Sequence, residues 1–246
     1  MKILVCISKA PDTTSRIAFS ADQTAFDENG VQFIVNPYDE WYALVRALEL
    51  KETLGGTVTT ISVGGADYEP IIRKALAIGA DDAVRIDAAE SDSLFVATQI
   101  ANYAKGKGFD LILAGKETIN YNGSVVPGMI AELLDVPYIP LAMKLNVEGA
   151  VAVIEREVTG GVEVVEANLP VVISAAKGMA EQRIPNMRGI MAARTKPLAT
   201  EPAAAVNATT RVKAYSMPPA KGACKYIQAD QAGDLIRILH EEAKVI

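Results

Sequence analysis

Histidine is almost missing from this chain: His240 is the only one, and it lies near the end. A Ser-His-Asp or Cys-His catalytic site is therefore not expected. Cysteine is as sparse. Cys6 and Cys224 lie far apart in no metal-ligand or redox spacing, so a metal site is not expected either. Aromatic residues make up 6% of the chain, which leaves the core to Val, Ile, Leu and Ala. No run of 18 apolar residues exists, and residues 1–8 are too short for a signal peptide. They read as a first strand, and a cytoplasmic location without membrane insertion is expected. The net charge of −6 argues against nucleic-acid binding, and the one modestly basic stretch is 183–196. There is no Gly-x-x-x-x-Gly-Lys-Ser/Thr loop and no Gly-x-Gly-x-x-Gly after the first strand, which disfavours nicotinamide binding of the usual kind.

What is present is a large aliphatic share. Half of the 246 residues are hydrophobic, and a chain of this size buries roughly 70–75% of its unfolded surface without staples. Strands are expected at residues 2–7, 31–35, 57–63, 82–86 and 109–115. The first is followed by a hydroxyl-rich loop, 8–14, that carries Lys9. Residues 15–30 read as a polar excursion turning at Glu28-Asn-Gly30. Helices are expected at 38–54, 70–78 and 91–106. In the first of these Asn36 serves as cap, Pro37 as first residue, and Trp41, Leu44, Leu48 and Leu54 share one face. Strands alternating with helices through short glycine-rich links mean an α/β fold with a parallel sheet covered on both faces.

The stretch after the fifth strand is the most informative. The apolar run ends on Gly115. A polar turn follows, with Gly123 free to take positive φ, and a helix resumes from Ser124 as cap with Pro127 in its first turn. Strand end, loop and helix start aim backbone N–H groups and a positive dipole end at one place, which suits a phosphate.

Beyond Pro137 the pattern becomes antiparallel, with strands at 141–147, 150–158 and 162–168 and a hairpin turn at Thr159-Gly160-Gly161. A buried strand at 169–175 follows. Residues 176–197 are irregular with a helical stretch, 197–219 read as an extended arm, and 229–243 as an amphipathic helix with Leu235, Ile236, Ile238 and Leu239 on its apolar side. The chain divides into a nucleotide-binding α/β domain, 1–197, and a C-terminal arm and helix, 198–246.

No convergent pair of catalytic carboxylates stands out. Glu155 and Glu157 share a strand face, as an exposed hairpin would have it. The sequence Val63-Gly-Gly-Ala-Asp-Tyr68 faintly resembles the loop of ATP pyrophosphatase-type adenylating enzymes, but both serines of that loop are missing. A binding or carrier protein fits better than an enzyme.

Several segments resemble the β subunit of electron-transfer flavoproteins. They are Val5-Cys-Ile-Ser-Lys-Ala-Pro-Asp-Thr13, Asn36-Pro-Tyr-Asp-Glu40, Arg73-Lys-Ala-Leu-Ala-Ile-Gly-Ala-Asp81, Leu113-Ala-Gly-Lys116, Glu155-Arg-Glu-Val-Thr-Gly-Gly161, Leu169-Pro170 and Arg188-Gly-Ile-Met-Ala-Ala-Arg-Thr-Lys-Pro197. The match is collinear from first strand to terminal helix.

The resemblance implies a Rossmann-like fold shared with adenine-nucleotide α-hydrolases, carrying an added antiparallel hairpin and an extended C-terminal arm. It also implies a heterodimer. The α subunit would hold the FAD that shuttles electrons from flavin dehydrogenases, such as acyl-CoA dehydrogenases, to a quinone oxidoreductase. The β subunit would bind AMP, or a second FAD, and pack its arm on the partner. The nucleotide contacts carried over are Cys6, Ser8, Asn36, Pro37, Tyr38, Asp39, Val63, Gly64, Gly115, Lys116, Asn120, Asn122, Gly123, Ser124, Val125 and Val126. Arg183, Ile184, Met187 and Arg188 fall on the loop that recognises dehydrogenases, residues 181–190 of the α/β domain, and Glu157 on the hairpin position near the α-subunit flavin. The chain departs from the family in having amides at 120 and 122, valines at 125 and 126, and serine at position 8. Backbone N–H groups and Ser124 are left to hold a phosphate. A stand-alone nucleotide sensor of the universal-stress-protein type is the alternative, distinguished by its having no use for residues 176–246.

Overall fold

Lys2–Cys6 (β1) is an interior strand of the main sheet, paired on both sides. The computed structural model describes residues 1–89 and 92–246. Along the chain follow Lys9–Pro11 (β2), Phe33–Val35 (β3), Asp39–Leu54 (α1), Thr57–Gly64 (β4), Glu69–Ile78 (α2), Asp82–Asp87 (β5), Ser93–Ala104 (α3), Leu111–Gly115 (β6) and Val126–Leu134 (α4). Tyr138–Glu148 (β7), Val151–Val158 (β8), Gly161–Asn168 (β9) and Val171–Ala175 (β10) come next, then Met187–Ala193 (α5) and Leu198–Pro202 (β11). A last helix, Ala232–Arg237 (α6), continues through a π turn at Ile238–Glu242. The helix start expected at Ser91 lies outside the described residues; α3 begins after Asp92, whose carboxylate caps it by accepting the Phe95 N–H at 2.8 Å.

Nine strands form one mixed sheet in the order β11-β5-β4-β1-β6-β10-β7-β8-β9. All neighbours are parallel except β7–β8 and β8–β9. The two-residue period of a strand explains the double cover. Ile3 and Val5 point to the face packed by Leu44 and Leu48 of α1 and Ile72 and Leu76 of α2. Leu4 and Cys6 point to the other, with Ile100 of α3 and Ile130 of α4. Each such aliphatic side chain taken wholly from water contributes about 1.5–3 kcal/mol.

Four expectations need correction. Residues 9–11 are not loop: β2 pairs antiparallel with β3 in a separate two-stranded sheet. Leu54 is half exposed at the last turn of α1 while Trp41, Leu44 and Leu48 are buried. The stretch from 197 does not run free from its start, because β11 pairs with β5 as an edge strand, Leu198 opposite Ala83 and Pro202 opposite Asp87. Its Leu-Ala-Thr-Glu-Pro sequence has neither alternation nor β-branched density to announce it, and Pro is tolerated there because the strand is an edge. The terminal helix is broken into a short 3-10 turn, α6 and a π turn, and none of its residues is buried. No helix among the described residues is long and apolar enough to cross a membrane.

Past β11 the arm is clipped to the body by Gln99 of α3 and by Asp92, which caps that helix. Gln99, itself buried, donates to the Ala204 carbonyl at 3.0 Å and accepts the Ala204 N–H at 2.8 Å. The second oxygen of Asp92 accepts N–H and hydroxyl donors from both Thr209 and Thr210 at 2.6–3.2 Å. The Phe95 N–H first and these donors next hold the Asp92 carboxyl far below the usual carboxylate range. Tyr215 then stacks on Phe19, with ring centroids 4.8 Å apart.

Candidate functional site

The chain runs from β1 to β4 and β5 on one side, then crosses to β6 on the other side of β1. The sheet's switch point is therefore the gap between β1 and β6, and ligands of open α/β sheets sit outside the carboxyl ends of the strands there. Cys6, Gly64 and Gly115 end three adjacent strands at this edge. The first turn of α1 fills one wall, and the loop from Lys116 to Val125 forms the lip.

Asn36 joins wall to lip. Its fully buried amide donates to the Glu117 carbonyl at 3.0 Å and accepts the Ile119 N–H at 2.9 Å. It is therefore not the cap of α1. Pro37 does not open the helix either: α1 starts at Asp39, and Tyr38 precedes it with φ 66° and no side-chain cap. A bulky residue in the left-handed region is strained, and such residues gather at functional sites. Tyr38 is 57% exposed, its ring tilted against that of Tyr42 with centroids 6.3 Å apart.

Ser8 is held by α1. Its backbone N–H donates to one oxygen of Glu40 at 2.8 Å and its hydroxyl to the other at 2.6 Å. Burial pushes the Glu40 carboxyl up to about 7, against the pull of the Ser8 hydroxyl and N–H and with a further push from Asp39. Burial also pushes Asp39 up to about 6; Lys116 opposes the shift and Glu117 adds to it. Gly115 lets α1 come this close. A β-carbon there would stand 2.9 Å from Glu40 Cγ and 3.0 Å from the Glu40 backbone nitrogen. Gly64 has the same role for the Tyr68 ring, which would lie 2.4 Å from an added β-carbon. Val63 beside it is half-buried. Cys6 is buried, and desolvation first, then Glu40, raise its thiol far above the normal range, so it is inert.

The lip differs most from expectation. Gly123 keeps ordinary backbone geometry, while Asn122 and Ser124 take φ 49° and 53°. Ser124 is not the cap of α4. Val125 holds that place without a side-chain bond, and Ser124 turns its hydroxyl onto Glu117 at 3.2 Å. Lys116 pairs with the same carboxylate at 3.3 Å. Asn120, Asn122, Gly123 and Val125 are exposed and Val126 half-buried. Asp39, Glu40 and Glu117 thus converge on the crevice. The Asp39-Glu40 pair is visible in the sequence as helix-start acids. Glu117 becomes their neighbour only through the Asn36 bridge, 81 residues long in sequence.

One hydroxyl and one cation are spent on Glu117, and Pro127 has no N–H to offer at the start of α4. Asp39 and Glu117 suit a ligand that donates, such as a ribose diol, because acidic side chains at such crevices accept ribose hydroxyls; Glu40 is taken up by Ser8.

Two further groups border the site. Lys9 is buried, with Asp67 at 2.6 Å, Glu28 at 3.3 Å and its Nζ 4.0 Å from the Phe33 ring centroid. Burial works against its charge, but Asp67 and then Glu28 outweigh that, so its pKa rises. Two hollows of about 300 and 290 Å³ lie at the opposite, amino edge of the sheet. Met1, Asp110 and Leu169 line the first; Gly106, Phe109 and Pro170 line the second. They are remote from the crevice. Among the described residues no group of three or more His, Cys, Asp or Glu is placed to hold a metal.

The residues expected to meet dehydrogenases lie elsewhere. The Arg183 carbonyl accepts the Trp41 indole N–H at 3.1 Å, and its guanidinium grips both oxygens of Glu52 at 2.6 and 3.1 Å. Beyond this anchor Ile184 is 81% and Met187 74% exposed, with Arg188, Ile190 and Met191 also exposed. Asn186 caps α5, which packs on α2 so closely that a β-carbon at Gly189 would meet the Ala77 carbonyl at 2.4 Å. Glu157 is exposed near the turn of the β8–β9 hairpin, opposite Val162.

A family model described as the electron transfer flavoprotein domain matches residues 23–206. The chain is 37% identical to the electron transfer flavoprotein subunit beta of Bacillus subtilis (strain 168), over 100% of both chains. It is 36% identical to the protein of the same name from Syntrophomonas wolfei, over 91% of this chain and 88% of that one. It is 31% identical to the caffeyl-CoA reductase-Etf complex subunit CarD of Acetobacterium woodii, over 98% and 99%.

Proposed function

Because the chain belongs to the electron transfer flavoprotein β-subunit family, we propose that it works as the non-catalytic half of a cytoplasmic α–β heterodimer. The α subunit holds the FAD that takes and gives electrons. This chain shapes the surface on which that flavin domain docks, with Glu157 on the hairpin nearest to it. Residues 198–246 reach onto the α subunit, while 1–197 form the body. The crevice at the switch point takes an adenine-containing ligand through Tyr38, the ends of β1, β4 and β6, and the lip from Lys116 to Val126.

The observation that carries this reading is the terminal helix. Leu235 and Ile236 are 47% and 62% exposed, and no residue of the segment is buried, so it is shaped to cover something else. A stand-alone sensor has no use for such a segment. The Acetobacterium relative is named as part of a complex with a reductase. For this chain a flavin dehydrogenase or reductase is the corresponding partner, meeting Ile184, Met187 and Arg188. Flexible thioethers suit a surface that accepts several partners.

Co-expression with an α-type subunit tests the proposal. A flavin-containing complex of one copy each is expected, and removal of residues 203–246 should abolish it while the remaining body stays folded. A flavin-free monomer indifferent to any α-type subunit would refute it.

A further inference from the structure

We propose that the crevice selects an uncharged adenosine-like ligand, or the adenosine end of a larger one, and discriminates against a phosphate monoester at the lip. The inference rests on the adenine-ligand reading of the same crevice. It concerns which end of the molecule the residues can accept.

Three features point the same way, two of them bonds to the one carboxylate of Glu117. The lip's one cation is already neutralised, because Lys116 Nζ sits 3.3 Å from Glu117. The one side-chain hydroxyl at the start of α4 is turned inward, Ser124 Oγ donating to the other Glu117 oxygen at 3.2 Å. The start of α4 offers no side-chain donor: Val125 occupies the cap position without a side-chain bond, and Pro127 in the first turn removes one N–H. A helix start that binds anions does so through free N–H groups and a capping hydroxyl. This one has fewer of the first and has diverted the second.

Charge acts in the same direction. A phosphate brought to the lip meets Glu117 on the loop after β6 and Asp39 on the first turn of α1. Against these carboxylates only Lys116 is positive, and like charges a few ångströms apart repel strongly where water is partly excluded. The same carboxylates accept hydrogen bonds from the hydroxyls of a ribose or from an exocyclic amine. Tyr38, one residue before the first turn of α1, is exposed and has an aromatic face of the kind a purine stacks on. The side chains of the site therefore serve the base and the sugar, and leave a phosphate only the backbone N–H groups at the start of α4.

Isothermal titration of the full-length chain, alone and with an α-type subunit, using adenosine and AMP as the two probes, decides the matter. Adenosine should bind, and AMP at least about tenfold more weakly, a gap of 1.4 kcal/mol. Glu117→Gln should narrow the gap by freeing Lys116, and Asp39→Asn should narrow it from the opposite wall; a thermal melt checks that each is folded. AMP binding as tightly as adenosine, AMP retained in stoichiometric amount through purification, or an unchanged gap in both folded variants would overturn this inference while leaving the adenine crevice standing. Failure of both probes to bind would overturn the crevice reading itself, and this inference with it.

Discussion

Ser8 presents both its backbone N–H and its hydroxyl to the two oxygens of Glu40, at 2.8 and 2.6 Å. The first loop of the sheet is thereby fastened to the first turn of α1 through a carboxyl that burial holds at about 7. Asp39 next to it is held at about 6.

A pH signature follows. Both carboxyls titrate higher in the folded chain than their ordinary values of 4.5 and 3.8, so the folded state binds more protons between those values and about 7. Stability attributable to this pair therefore falls as pH rises through that window, and the loss is complete above it. Glu40→Gln removes the titration. Subtracting the variant's urea-unfolding free energy from that of the natural chain should give a difference that declines by on the order of 3 kcal/mol from pH 4.5 to 7. A flat or rising difference would contradict the buried-carboxyl account.

Gly115→Ala tests the close approach of α1 to β6. The added methyl meets Glu40 at side chain and backbone, so the helix start must shift, at a cost of about 1–3 kcal/mol. Chemical denaturation reads the cost, and protection of the Ser8 amide from hydrogen exchange should fall with it. An unshifted midpoint would mean that the contact is softer than it looks.

Met187→Ala addresses the exposed face of α5. Met187 is 74% exposed, so its removal should change stability by no more than about 0.5 kcal/mol. Reduction of the α–β complex by a dehydrogenase should slow by roughly fivefold to tenfold if Met187 is a central contact. Stopped-flow flavin bleaching measures this, and ligand content should not change. Loss of both rate and ligand would show that the segment supports the fold instead.

Asp92→Ala tests the latch on the arm. One carboxylate caps α3 and collects donors from Thr209 and Thr210. Its removal should raise hydrogen exchange and protease cleavage after Ala204 far more than in the sheet. Gln99 should still hold Ala204 itself. Uniform loosening would point to a general loss of stability.

The sequence makes the sheet legible because its strands are dense aliphatic runs, such as Leu-Ile-Leu-Ala at 111–114, each closed by glycine or a polar turn. The βα alternation and the later hairpins then follow. Details that depend on distant partners are hidden. Asn36 has the chemistry of a helix cap, yet a carbonyl and an N–H after β6 draw its amide away. Ser124 likewise has the chemistry of a cap but donates to a carboxylate seven residues earlier. Leu198–Pro202 becomes a strand only because β5 offers an open edge. In each case a contact with no local signature outweighs a local preference of about 1 kcal/mol.

The uncovered terminal helix has a consequence for the cell's accounting of copies. Under the proposed α–β pairing, a free copy that leaves Leu235, Ile236 and Val245 in contact with water is easy to recognise as lacking its mate. Proteases and chaperones that survey greasy, unsheltered ends would remove the surplus, and the two subunits would be kept in step by degradation even where their synthesis is not matched.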